Sequence, residues 1–82
     1  MIQSNHACEI IRTLVGPPSA AHMEENGEEV IVWYVGEWTI KLKTEGDGSF
    51  VVQVTKGEGW VGAWYFWQDQ VKLVRLVTLA TI

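Results

Sequence analysis

Eighty-two residues, 48% hydrophobic and 20% charged, have the composition of one folded domain rather than a disordered chain. No apolar run approaches the ~20 residues needed to cross a bilayer, and no cationic stretch leads into an apolar one near the start. A net charge of −4, without clustered lysine or arginine, argues against a nucleic-acid partner, and neither a membrane span nor a signal peptide is expected.

Residues 5–15 have the pattern of a short amphipathic helix. Ala7, Ile10, Ile11, Leu14 and Val15 recur at helical spacing with Cys8 beside them, while Glu9, Arg12 and Thr13 take the wet side. Ser4 or Asn5 is placed to cap the first amides, Gly16 to supply a left-handed stop, and Pro17-Pro18 to prevent continuation. A helix this short is marginal alone, so its stripe must dock on something. Cys8 is the lone cysteine; it excludes an internal disulfide and suits a reducing, cytoplasmic setting. Residues 16–28 are expected to be a loop, with a helical turn available to Ser19–His22 before Asn26-Gly27. The acids are uneven: residues 1–37 hold six against Arg12, a balance of −5, and residues 38–82 four against five bases, a balance of +1. The segment 24–29 is expected to be a solvated acidic loop.

From Glu28 onward the period changes to two, and residues 29–82 are expected to form an antiparallel meander of four or five strands. Residues 29–35 are apolar on both faces, which suits a covered strand. Gly36-Glu37 is expected to close a tight hairpin. Residues 38–44 then alternate with Trp38, Ile40 and Leu42 inward, and residues 49–56 with Phe50, Val52 and Val54 inward. Even residues oppose even residues only across a loop of odd length, which Gly46-Asp47-Gly48 provides. Gly57-Glu58-Gly59 offers the same solution. The inward rows would be Trp38–Lys56–Trp60, Ile40–Val54–Gly62, Leu42–Val52–Trp64 and Thr44–Phe50–Phe66, with Lys56 between two indoles.

Residues 59–67 hold three of the five tryptophans and are apolar on both faces, so this strand needs cover. Residues 70–82 are rich in β-branched side chains, which favours a final strand. Asp69 as a cap, with Leu73, Leu76, Val77 and Ala80 as a stripe, is the helical alternative. The fold expected is α+β: a short N-terminal helix packed on the meander, with a partial barrel as a variant.

No residue nominates itself as catalytic, metal-binding or cofactor-binding. His6, Cys8 and His22 have no four-ligand spacing, and the acids fall in polar segments and turns without forming a buried pair. The glycines lead into strands rather than helix N-termini, so they are turns and not phosphate loops. The aromatic surplus is the one unusual feature. It favours a non-catalytic interaction module, self-associating (a dimer first) or binding another protein, through Trp33, Tyr65, Trp67 and Leu76 and a C-terminal edge. The alternative is a half-barrel pocket for a small apolar ligand, lined by Trp38, Lys56, Trp60, Gly62, Trp64 and Arg75. A small enzyme comes third.

Overall fold

A computed structural model describes residues 2–82. Helix α1 (Ser4–Val15) is followed by strands β1 (Ala20–Met23), β2 (Glu29–Val35), β3 (Trp38–Thr44), β4 (Phe50–Lys56) and β5 (Gly59–Tyr65), then helix α2 (Gln70–Thr78) and a single 3₁₀ turn, Leu79–Thr81. The strands form one antiparallel sheet in chain order, with β1 and β5 as its two edges. The fold is therefore α+β with an open sheet.

Two corrections concern element type. The segment 16–28 contains β1, which pairs Ala20 to Met23 with Val32 to Glu29. Its hairpin turn repeats the one at 46–48: Gly27 N donates to Glu24 O at 3.0 Å, and Gly48 N donates to Glu45 O at 3.0 Å. In each turn an Asx side chain accepts a backbone amide two residues on, Asn26 from Glu28 and Asp47 from Ser49, both at 2.9 Å. The second correction is at the C-terminus, where residues 70–78 are helical rather than a final strand. Asp69 caps this helix, its carboxylate accepting from Val71 N at 2.7 Å. The β-branched residues lower helix propensity by only a few tenths of a kcal/mol each. Burying Leu73, Val77 and Ala80 over the sheet outweighs that preference.

The register of the sheet agrees with strand parity except at one corner. Ile40–Val54–Gly62 and Leu42–Val52–Trp64 align as rows, Thr44 pairs with Phe50, and Phe66 N donates to Phe50 O at 3.2 Å. The turn before β5, however, is Gly57-Glu58 alone, because Lys56 pairs with Gly59. Gly57 has φ +58° and Gly36, heading the matching Gly36-Glu37 turn, has φ +60°, so both Gly-Glu pairs put glycine where a side chain would be strained. A two-residue turn would send all of β5 to the wrong face. A bulge restores the register, with Trp60 opposite Thr55 and Gly62 opposite Val54. Trp60 thus leaves the inward row and joins the outer face.

Both helices lie on the inner face. Ala7 and Ile11 of α1, with Leu73 and Val77 of α2, join Trp33, Ile40, Leu42, Val52, Val54 and Trp64 in one core. Two buried indoles tie the helix ends to the sheet. Trp33 Nε1 donates to Gly16 O at 3.1 Å, just past the end of α1, and Trp64 Nε1 donates to Asp69 O at 2.9 Å, just before α2. Each bond gives a tryptophan its required partner and satisfies a backbone carbonyl beside a helix end.

Candidate functional site

With both helices on one face, the other face of the sheet has no covering element among the described residues. The register sets out its residues: Ala20 and His22 on β1, Val30, Val32 and Tyr34 on β2, Thr39, Lys41 and Lys43 on β3, Val51, Gln53 and Thr55 on β4, and Trp60, Ala63 and Tyr65 on β5. Val30 and Val32 are buried here without joining the main core. Aliphatic stems such as those of the flanking Lys41 and Lys43 suit that cover. Four large rings remain exposed: Tyr34 at 62%, Trp60 at 61%, Tyr65 at 46% and Trp67 at 65%. Tyr65 and Trp67 stack, with centroids 5.8 Å apart and planes 9° from parallel.

The charge on this face is one-sided. No strand residue facing outward is acidic, and neither Lys41 nor Lys43 enters an ion pair among the described residues. The acids of matching parity stand beyond the strand ends. Glu37 precedes β3, Glu45 comes after it, and Glu24 lies past β1, where its Oε1 is 3.2 Å from His22 Nε2. The face therefore offers aromatic area, two unpaired ammonium groups and the hydrogen-bonding side chains of Thr39, Thr55 and Gln53.

The sequence-derived interface set divides. Tyr65 and Trp67 come together on the outer face, whereas Trp33 is core and Leu76 is half-buried beneath the sheet. Tyr34 and Trp60 belong to the surface but not to that set. The signal for Trp60 is the recurrence of Gly-Glu at Gly57-Glu58, which requires the same two-residue turn as Gly36-Glu37.

The expected ligand-pocket residues do not converge. Trp60 is on the opposite face, Trp64 is buried, and the notch at Gly62 is filled by Leu76, whose Cδ1 would lie 3.2 Å from an added Cβ. Lys56 keeps its cation–π contact with Trp38 alone, Nζ standing 5.3 Å from the ring centroid. Arg75 is exposed on α2. Depressions occur elsewhere, one of about 300 Å³ between α1 and α2 and one of about 630 Å³ beside the 46–48 turn. The lining of neither includes any of the six residues.

Among the described residues, no three metal-ligating side chains gather. Cys8 is half-buried, and desolvation, then the nearby Glu9, pushes its thiol above its ordinary range. The Asp47 carboxyl is held below its ordinary value by the Ser49 hydroxyl, at 2.6 Å, and then by the Ser49 amide. A depressed carboxyl favours the folded turn above the unfolded pKa of about 3.9, and that contribution fades as pH falls through the lower folded value. In an NMR titration, Ser49→Ala is expected to move the Asp47 midpoint upward. An unmoved midpoint would show that the hydroxyl does not hold the carboxylate.

Among the described residues, no helix is long and apolar enough to cross a membrane. No family profile, curated protein or solved structure matches this chain.

Proposed function

We propose that the protein is a non-catalytic interaction module that binds another protein chain through the uncovered face of its sheet. The observation that supports this reading is the concentration of exposed Tyr34, Trp60 and Tyr65, with Trp67 stacked on Tyr65, on the sheet face whose strand positions carry no acid. Aromatic rings give large contact area for little rotamer entropy, which is why they dominate the centres of protein interfaces. The lone thiol, Cys8, suits a reducing cytoplasmic setting. Self-association through a C-terminal edge strand has no strand to use, since residues 70–78 are helical.

Rings kept for binding should contribute little to folding. Trp60→Thr and Trp67→Gln are each expected to change unfolding free energy by under about 0.5 kcal/mol in a urea titration. A loss above about 2 kcal/mol in either would make the ring structural and remove the reading. Light scattering coupled to size exclusion then separates the partners. A mass above 9.2 kDa that Trp67→Glu lowers identifies a second copy, and a 9.2 kDa species removes self-association and leaves a different protein as the partner to be sought.

A further inference from the structure

The chemistry of the partner, a question that rests on the interaction reading, is narrowed by the charges on the face. We infer that the occupant is an acidic segment of a different protein, presenting two carboxylates to Lys41 and Lys43 and apolar side chains to the Tyr65–Trp67 stack. Three observations lead there. First, the two lysines lie two residues apart on the central strand, so their stems leave the same face about 7 Å apart. They have no ion-pair partner among the described residues, and the neighbouring outward positions are Thr39, Gln53, Thr55 and valines. An ammonium group pairs best with an anion brought by the ligand.

Second, a second copy fits this face poorly. Two identical sheets packed face to face about their centre would set the lysines of β3 against their own copies, and like charges across an interface oppose docking. Third, a long polyanion fits no better. Glu37 and Glu45 flank β3 in the turns at its two ends, so a phosphodiester chain running along β3 would pass a carboxylate in both directions. A short segment carrying two acids between apolar residues meets none of these obstacles. Its rings or aliphatic side chains would cover Tyr65 and Trp67, which stand two strands from the lysines.

The test is a selection of displayed random twelve-residue peptides against the full chain, with a fifteen-residue oligothymidylate measured separately by fluorescence anisotropy. Enrichment of paired Asp or Glu beside aromatic residues is expected. A selected peptide should shift the amide resonances of β3 and β5, lose at least tenfold in affinity against Lys41→Glu/Lys43→Glu, and keep it against Lys41→Arg/Lys43→Arg. Selection on the charge-reversed chain, its fold checked by circular dichroism, should enrich basic peptides instead. Peptides that shift the same resonances without an acidic bias would overturn the partner assignment and leave the interaction reading standing. Oligothymidylate bound more tightly than any selected peptide, and lost on charge reversal, would assign the face to nucleic acid. No enrichment at all, with a monomer in solution, would overturn both.

Discussion

Replacing Trp64 with alanine is expected to cost about 3–5 kcal/mol, the range for emptying a fully packed aromatic site. The chain has only 82 residues, and stability of roughly 0.05–0.15 kcal/mol per residue gives it about 4–12 kcal/mol in total. The substitution therefore removes a large share of the fold's stability. Trp64 is buried, sits 5.9 Å from Phe50, and donates its indole N–H to Asp69 O at the start of α2. Alanine would empty the space between β5 and α2 and remove the indole donor, leaving that carbonyl with the Lys72 amide alone, at 3.0 Å. Trp64→Phe keeps most of the volume and loses the hydrogen bond, for about 1–2 kcal/mol. Urea titrations monitored by ellipticity at 222 nm should rank wild type above Trp64→Phe and Trp64→Ala last, with the last showing a broadened or absent transition. If Trp64→Ala behaved like the surface change Trp67→Gln, the assignment of Trp64 to the core would be wrong.

The second large effect is expected at Gly62. A Cβ there would approach Leu76 Cδ1 to 3.2 Å, so alanine requires a small shift of one flexible side chain. Valine adds two further methyl groups against α2 and is expected to cost about 1–3 kcal/mol by overpacking. Removing the obstacle should restore part of this. In a Leu76→Ala background the valine occupies vacated volume, and the double-mutant cycle should show a favourable coupling of at least about 1 kcal/mol. Costs that add to within about 0.5 kcal/mol would mean that Leu76 does not seat in the Gly62 notch. The same experiment bears on the small-molecule reading, since the space imagined for a ligand is where the helix rests.

The face assignments of β3 and β4 are legible in the sequence because strand parity and turn length have to agree. Gly46-Asp47-Gly48 sets that pairing, and Trp38, Ile40, Leu42, Phe50, Val52 and Val54 fall on one side as expected. The sequence is less informative where local preference and tertiary burial disagree. Ala20–Met23 is four exposed residues without alternation, so only the Asn26-Gly27 turn points to β1. Val71, Val74 and Val77 favour extended backbone when taken alone, yet the inner face over β4 and β5 needs a lid, and the Asp69 cap starts one. The candidate surface is half legible. Tyr65 and Trp67 are identifiable from composition, but parity alone puts Trp60 on the wrong face because one extra residue sits in a bulge. A bulge leaves no hydrophobic signature of its own, whereas a repeated turn dipeptide does.

The chain-order meander also bears on how the molecule forms. Each ladder joins strands adjacent in sequence through a short turn, so closing each hairpin carries a small loop entropy and takes on the order of microseconds. The meeting of α1 with α2 and the 3₁₀ turn that follows it spans most of the polypeptide. Assembly should be fast for a β-rich domain, because local contacts dominate, with apposition of the two helices as its late event. Truncating Ile11 should then leave the refolding rate nearly unchanged and raise the unfolding rate instead.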